Sequence, residues 1–259
     1  LPHPTPPYPT PQETHRAYTP VSSLKCEGYF ELLVRRVQHG AFSNWLCDLS
    51  VGDVVFARGG RGPAVYGGYG AAHLRLPARA KARGGSGLIK PSSLLLLSAG
   101  SGIAPMLALL RSLDTSATST SLLPPITLVH ASGSASEVGA LAELLRLAAS
   151  LSTLTLHLVL SSREALAAVT PTDASADGRS SQGTSVATAV AELADESKSR
   201  GNVRLSVGER LDASMLTRVT LGAPLDGACL CCCGPPNFDQ DVMAWAKSAG
   251  YDTTCCHVF

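Results

Sequence analysis

The sequence has almost no net charge, which argues against a partner selected by charge. Its 259 residues include 21 lysines and arginines and 20 aspartates and glutamates, for a formal net charge of +1. Proteins that hold nucleic acid through its phosphates normally carry a clear basic excess. We therefore expect no nucleic-acid partner.

Long hydrophobic runs are also scarce. Leu94–Leu97 is an apolar run, but a membrane span needs about 20 such residues. We therefore predict no transmembrane segment in this chain. With 45% hydrophobic and 16% charged residues, the composition fits one large domain or two modest ones with real cores.

The eight cysteines lack the spacing of a disulfide framework or a zinc site. Four of them crowd residues 229–233, and Cys255 and Cys256 are adjacent. Neighbouring strand residues point to opposite faces and make poor disulfide partners, and zinc would require CxxC pairs with a second set of ligands. We predict reduced, mostly buried thiols and no metal. This favours an intracellular reducing compartment, either cytosolic or organellar (mitochondrial or associated with the endoplasmic reticulum).

The first part of the chain has the pattern of β structure. Residues 1–15 are proline-rich and are predicted to form an extended linker. Tyr29–Val37 and Val54–Ala57 combine aromatic and β-branched residues, and glycines separate the apolar runs. We interpret residues 16–90 as a small antiparallel barrel.

After Pro91 the pattern changes to alternating apolar strands and helices. The strands are predicted at 92–100, 126–131, 154–160 and 227–233, and the helices at 104–113, 137–149 and 237–249. This alternation predicts a parallel sheet with helices on both faces. The fold class is thus α/β plus β, with a second domain over residues 91–259. The low-complexity stretch 170–200 is predicted to be a flexible insertion.

Two stretches carry candidate binding residues. SAGSGIAP, residues 98–105, lies between a strand and a helix, where glycines and backbone N–H groups favour an anion such as a pyrophosphate; a purely structural turn is the alternative. In RAYTP, residues 16–20, Arg16 could clamp a phosphate while Tyr18 and Thr19 face a planar ring. HGAFS, residues 39–43, could add donors to the same phosphate. An exposed arginine beside a turn proline is the alternative there.

Taken in order, RAYTP, GAFSNWL with VGD, GSGIAPM, CGPP and a terminal aromatic resemble the ferredoxin–NADP reductase superfamily. The branch they most resemble contains NADH–cytochrome b5 reductase and the FAD/NADH module of nitrate reductase. The resemblance covers residues 16–259 apart from the insertion. It implies a partial flavin-binding barrel, lacking its N-terminal strands in this stretch, followed by a nicotinamide-binding domain.

The resemblance implies the cofactors and their contacts. FAD would be held with Tyr18 and Thr19 beside the isoalloxazine ring and Arg16 and Ser43 at the pyrophosphate. NADPH or NADH would bind at GSGIAP and CGPP, with Cys233 near the reactive carbon and Phe259 against the flavin. Thr19, Cys233 and Phe259 would be the catalytic residues. The full set of implied cofactor contacts is Arg16, Tyr18, Thr19, Gly40, Phe42, Ser43, Gly100, Ser101, Gly102, Pro105, Ser162, Arg163, Cys233, Gly234, Pro235 and Phe259.

The implied function is transfer of electrons from NAD(P)H through FAD to a haem protein or another acceptor, with an acceptor protein or an upstream domain or subunit as partner. Ser162 and Arg163 follow the predicted strand 154–160, where NADH-preferring relatives carry an acidic residue. A hydroxyl and a guanidinium do not repel a 2′-phosphate, so we expect NADPH to be accepted at least as well as NADH. The alternative is a non-catalytic, reductase-like subunit of a larger assembly, because Ala41, Ala99 and Ala104 depart from the family motifs.

Overall fold

The structure is a computed structural model that describes residues 16–22, 26–58, 73–76, 81–83, 85–116, 123–161, 201–220 and 224–259. The predicted linker at 1–15, the whole glycine-rich stretch 59–70 and the predicted insertion at 170–200 lie outside the described residues.

Eight strands are present in the described ranges. In chain order they are β1 (Leu74–Arg75), β2 (Leu88–Ile89), β3 (Leu94–Ala99), β4 (Ile126–Ser132), β5 (Leu154–Leu160), β6 (Val203–Val207), β7 (Cys229–Cys233) and β8 (Cys256–Val258). The helices are α1 (Ala41–Cys47), α2 (Ile103–Ser116), α3 (Leu141–Ser150), α4 (Ala213–Thr220) and α5 (Pro236–Ser248).

Strands β3 to β8 form one parallel sheet in the spatial order β6–β5–β4–β3–β7–β8. Both faces are covered, which explains the uninterrupted leucines of β3. Leu94 and Leu96 point into the cluster that contains α2 and α3, whereas Leu95 and Leu97 point into the cluster with α4 and α5. The predicted parallel sheet with helices on both faces is confirmed.

The cysteines follow the same alternation. Cys229 and Cys231 belong to the first cluster and Cys232 to the second, and Cys255 and Cys256 likewise separate onto opposite faces. All eight cysteines are free thiols, and five of them are buried. The thiols therefore serve as small apolar side chains in the core.

The antiparallel part is less regular than the sequence indicated. Strands β1 and β2 pair, and Pro20 forms a single bridge with Leu32, but residues 29–37 and 54–57 otherwise form no strand. These two strand predictions are wrong in the described residues. The reason is that an extended segment becomes a strand only where neighbouring backbone completes its hydrogen bonds, and Val54 and Phe56 are largely exposed.

One helix begins later than predicted. The expected helix 137–149 is α3, Leu141–Ser150, and a short 3₁₀ turn, Ala135–Glu137, precedes it. Ala140 adopts a left-handed conformation with φ of 56°. Because that conformation cannot continue a right-handed helix, the turn and the helix stay separate.

Arg111 connects the first part of the chain to the sheet domain. From α2, its guanidinium donates to Glu143 of α3, to the Val21 carbonyl oxygen at 2.6 Å and to Glu31 at 2.9 Å. The Glu143 pair holds the pKa of Arg111 above its ordinary value and lowers that of Glu143. Val21, Leu74 and Leu76 pack into the same apolar cluster as α2.

We expect Arg111→Ala to lower the free energy of unfolding by about 2–3 kcal/mol, because it removes the donor that joins Glu143, Glu31 and the Val21 carbonyl oxygen. Arg111 is only 22% exposed, so solvent screens this network weakly. The matched control is Arg146→Ala, which also removes a partner of Glu143 but at a side chain that is 54% exposed; it should cost about 0.5 kcal/mol or less. Urea unfolding measures the loss of stability in each variant. Equal losses in Arg111→Ala and Arg146→Ala would contradict the role of Arg111 as the connecting residue.

Candidate functional site

The loops predicted to hold a dinucleotide lie at the point where the sheet changes direction. Strand β3 lies between β4 and β7; the chain leaves β3 toward β4 and leaves β7 toward β8, on the other side. In open parallel sheets the crevice at such a point, beyond the carboxyl ends of the strands, is the usual ligand site. The turn Gly100–Gly102 follows β3, and Gly234 and Pro235 follow β7.

The two loops are in direct contact at Gly102. A Cβ atom on Gly102 would lie 2.0 Å from the Cys233 carbonyl oxygen and 3.0 Å from the Gly234 nitrogen. The backbone of the first loop therefore packs on the peptide of the second, and only glycine leaves room for it. Gly100 has φ of 55°, a left-handed conformation that also favours glycine.

A groove of about 300 Å³ opens beside these loops. It lies over the carboxyl ends of β3, β4 and β5, and α5 contributes Phe238. The lining residues are Arg35, Gly100, Ala131, Ser132, Gly133, Val159, Ser161, Glu209, Arg210, Leu211 and Phe238. Two arginines, backbone of two glycines and an aromatic ring make this groove suited to a ligand with phosphates and a planar ring.

Arg35 brings the first part of the chain to the groove. Its guanidinium pairs with Glu137 at 3.3 Å, and its Nη1 would lie 3.8 Å from a Cβ on Gly100. Glu209 is paired with Arg218 at 2.8 Å, which offsets its negative charge. Sequence reasoning did not select Arg35 as a ligand residue, because only the folded chain places it beside Gly100.

Cys233 ends β7 next to the Gly102 contact and is half-buried. Burial, with a smaller contribution from the Asp239 carboxylate, raises the pKa of its thiol to about 11. At neutral pH the thiol is therefore protonated and is a poor nucleophile. The role of Cys233 at a bound nicotinamide stays a prediction.

Phe259 directly follows β8. Its N–H donates to the Cys232 carbonyl oxygen at 3.0 Å, which extends the β7–β8 pairing by one residue. Its ring meets His257 edge-on at 4.8 Å and remains 40% exposed. The terminal ring is thus fixed by backbone pairing and still available to a ligand.

The residues predicted to contact FAD lie in two segments of the chain. Arg16 is exposed, and Tyr18 and Thr19 are half-buried. The Tyr18 ring stacks on Phe42 with 6.1 Å between centroids and 25° between planes. Ser43 is buried, and its hydroxyl accepts from the Val37 N–H at 3.2 Å and donates to the Gly40 carbonyl at 3.3 Å.

The remaining predicted residues divide into two groups. Ser101 is exposed and Pro105 is buried in the first turn of α2, where proline is tolerated. Ser162 and Arg163 lie outside the described residues, although the preceding Ser161 lines the groove.

A buried polar pair near the groove escaped sequence reasoning. Ser98 Oγ and His130 Nδ1 are 2.9 Å apart, and both residues are fully buried. Burial lowers the pKa of His130 to about 4. The two residues are register partners on β3 and β4, a relation that the sequence alone does not reveal.

Parts of the chain are similar in sequence to known proteins. Residues 7–66 match the oxidoreductase FAD-binding domain family. The chain is 36% identical over 104 residues to "NADH-cytochrome b5 reductase-like" of Homo sapiens, covering 39% of the chain and 26% of that protein. It is 32% identical over 103 residues to "NADH-cytochrome b5 reductase 1" of Emericella nidulans, covering 40% of the chain and 27% of that protein. These matches span about a quarter of the curated relatives.

Solved structures show the same fold. The cytochrome b5 reductase domain of Ulva prolifera nitrate reductase superposes with a TM-score of 0.62 at 19% identity, covering 94% of this chain and 76% of that one. Ferredoxin-NADP+ reductase from Plasmodium falciparum superposes with a TM-score of 0.55 at 17% identity. The superposition covers 94% of this chain and 76% of that one.

The chain therefore has the fold of the ferredoxin–NADP reductase superfamily, and the resemblance predicted from the sequence is confirmed. Its sequence is similar to proteins named as NADH-cytochrome b5 reductases. None of the helices in the described ranges is both long and apolar enough to cross a membrane.

Proposed function

We propose that this chain is a flavin-dependent oxidoreductase that passes electrons from NAD(P)H through FAD to a haem protein or another acceptor. The observation that carries the proposal is the groove over the carboxyl ends of β3, β4 and β5. Gly100 lines it, and Gly102 of the same turn packs on the Cys233 peptide beside it, at the switch point of the sheet. Residues 16–90 would form the FAD-binding part and residues 91–259 the NAD(P)H-binding part.

The groove fits a nicotinamide dinucleotide. A side chain on Gly102 would collide with the Cys233 peptide, so glycine at this position lets the two loops beside the groove pack against each other. Arg35 and Arg210 supply positive charge for the pyrophosphate, and Phe238 supplies an apolar face. Within the described ranges, Arg210 forms no ion pair, so its charge is available to an anion.

The first part of the chain fits FAD in the chemistry of its side chains. Arg16 would pair with the pyrophosphate, and Tyr18 and Thr19 would face the ring, with Tyr18 held in place by its stacking on Phe42. The Ser43 hydroxyl bonds to the backbone of Val37 and Gly40, so it stabilises the turn before α1. Bound FAD would supply the redox chemistry, accepting a hydride from the nicotinamide.

The protein's own contribution is alignment. The Cys233 thiol stays protonated and packs at the end of β7, where it would position the nicotinamide ring. Phe259, pinned by its N–H, would pack against the flavin and close one side of the site. Thr19 would donate a hydrogen bond to the ring nitrogen that receives the hydride.

Use of NADPH at least as well as NADH stays a prediction, since Ser162 and Arg163 lie outside the described residues. Two observations support it: Ser161 and Arg210 line the groove, and the one carboxylate among the described residues of its lining, Glu209, is paired with Arg218. The free thiols support a reducing compartment. A non-catalytic reductase-like subunit is the second candidate, favoured by the sparse pairing in residues 29–58.

Arg16→Ala should weaken FAD binding about 10- to 100-fold, because it removes a charged hydrogen bond of ~1.5–3 kcal/mol. Quenching of FAD fluorescence on titration with protein measures the dissociation constant. Arg146→Ala is the matched control, an exposed arginine on α3 that should leave FAD affinity unchanged. Equal affinities for wild type and Arg16→Ala would exclude Arg16 as the phosphate clamp.

A further inference from the structure

Three aromatic rings form a continuous row that begins at a residue predicted to face FAD. The Tyr18 ring stacks on Phe42 with 6.1 Å between centroids and 25° between planes. The Phe42 ring in turn meets the Trp45 ring at 5.4 Å and 50°. Aromatic pairs at such separations attract each other beyond the gain from burying their area. The row therefore couples Tyr18 to a tryptophan that sequence reasoning did not assign to the site.

The row runs from a partly buried position to the surface. Tyr18 and Phe42 are half-buried, whereas Trp45 is 42% exposed. The described ring contacts join Trp45 to Phe42 and Phe42 to Tyr18. Phe42 thus lies between the other two rings, and any influence of Trp45 on Tyr18 passes through it.

The helix that carries the two outer rings is fixed in place by its other side. α1 has only seven residues, too few for a helix that is stable by itself. The Ser43 hydroxyl accepts from the Val37 N–H at 3.2 Å, and the Asn44 side-chain amide donates to the Val37 carbonyl oxygen at 3.3 Å. Arg36 donates to Asp48 at 2.5 Å. These bonds attach α1 to the segment before it.

The other face of α1 is left for the aromatic row. Phe42 and Trp45 are three positions apart, so their side chains are neighbours on one side of the helix. With the helix attached, both rings are held on the side from which Phe42 meets Tyr18. A ring held in this way loses less freedom when a planar ligand stacks on it, and its tilt toward the ligand is set in advance.

We propose that Trp45 is a positioning residue for FAD: through Phe42 it sets the orientation of the Tyr18 ring against the isoalloxazine. This inference rests on the proposed function, because it takes Tyr18 to face the flavin. Trp45 acts without touching the flavin itself.

A purely structural role for Trp45 is the competing explanation. In that case Trp45 only covers Phe42 and stabilises α1, so that its loss lowers the stability of the protein. Any change in FAD binding would then be independent of Tyr18. The two explanations differ in the coupling between Trp45 and Tyr18 when FAD binds.

The test is a double-mutant cycle on the whole chain, with FAD affinity measured by quenching of FAD fluorescence. Trp45→Ala should weaken binding about three- to tenfold, the range that loss of one aromatic pair gives. Trp45→Phe keeps a ring against Phe42 and should stay within about twofold of wild type. The double variant Tyr18→Ala/Trp45→Ala should bind as Tyr18→Ala does alone. Cys47→Ala is the matched control, because it removes an exposed side chain from the same helix, and it should leave affinity unchanged.

The visible circular dichroism of saturating FAD is the second readout, because it reports how the surroundings of the isoalloxazine are oriented. Trp45→Ala and Tyr18→Ala should change this spectrum in the same direction, and Cys47→Ala should not change it. Trp45→Leu, which keeps apolar cover over Phe42 but no ring, covers the case in which Trp45→Ala does not fold. It should bind FAD more weakly than Trp45→Phe.

Three results would each overturn the inference: unchanged FAD affinity in Trp45→Ala, a loss that persists in full when Tyr18 is already alanine, or a flavin spectrum that Trp45→Ala leaves as in wild type. If Trp45→Ala does not fold, a Trp45→Leu protein that binds FAD as Trp45→Phe does would overturn it instead. Wild-type protein that does not bind FAD would contradict the proposed function, and the inference with it.

Discussion

Gly102→Ala is expected to lower the free energy of unfolding by at least about 3 kcal/mol, at the upper end for overpacking in a close-packed interior. The added methyl group would lie 2.0 Å from the Cys233 carbonyl oxygen and 2.5 Å from its carbon. Both atoms belong to backbone in a central strand, which cannot move aside as a flexible side chain can. Relief would require separating the ends of β3 and β7, and this would also widen the candidate groove.

Gly139→Ala is the matched control for this substitution. Its methyl group would meet the Leu33 Cδ2 atom at 2.9 Å, and a leucine side chain can shift by a few tenths of an ångström. We expect it to cost about 1 kcal/mol or less. Urea unfolding of both variants measures the two losses of unfolding free energy. A Gly102→Ala protein as stable as Gly139→Ala would show that the two loops are not in contact.

The second large effect is loss of stability at acid pH through His130. Burial lowers its pKa from 6.5 to about 4 in the folded protein. Between those values the unfolded chain binds the proton and the folded chain does not, so acid favours unfolding. The contribution of His130 to the free energy of unfolding is fully present above pH 6.5. It decreases as the pH falls toward 4, by about 3 kcal/mol in total.

Urea unfolding at pH 7 and at pH 4.5, in wild type and in His130→Phe, isolates this contribution. His157 and His257 also have lowered pKa values because of burial, so both proteins should lose some stability in acid. The loss should be smaller in His130→Phe by about 2.5 kcal/mol. Identical losses in the two proteins would mean that His130 titrates normally and is not buried in the folded state.

The parallel sheet was predictable because each of its elements carries its own signal. Leu94–Leu97 is apolar on both faces, and Leu154–Leu160 carries a leucine at every second position. Both patterns mark a strand with a covered face wherever it falls in the order. The strands predicted at 29–37 and 54–57 are absent from the described residues for a physical reason. Alternating residues such as Tyr29–Val37 specify an extended backbone, but pairing depends on a partner elsewhere in the chain.

The candidate site was predictable where function depends on the backbone. A side chain at Gly102 or Gly234 would collide with its neighbours, and Gly100 has a left-handed backbone that favours glycine. Glycines between a predicted strand and a predicted helix indicate such positions in the sequence. The sequence did not predict the positions of three other features: Arg35, Phe238 and the pair Ser98–His130. Each of them depends on a neighbour far away in the chain. Arg35 reaches the groove only once Glu137 and Gly100 are folded beside it.

The central claim is that this chain moves electrons from a nicotinamide dinucleotide to a flavin. The most direct measurement is the visible absorbance of the purified protein, equilibrated with FAD and passed over a desalting column, before and after anaerobic addition of NADH or NADPH. The account predicts that flavin absorbance stays with the protein and bleaches when either dinucleotide is added, with NADPH at least as effective. Protein that emerges without flavin absorbance, or that retains a flavin which neither dinucleotide bleaches, would contradict the account.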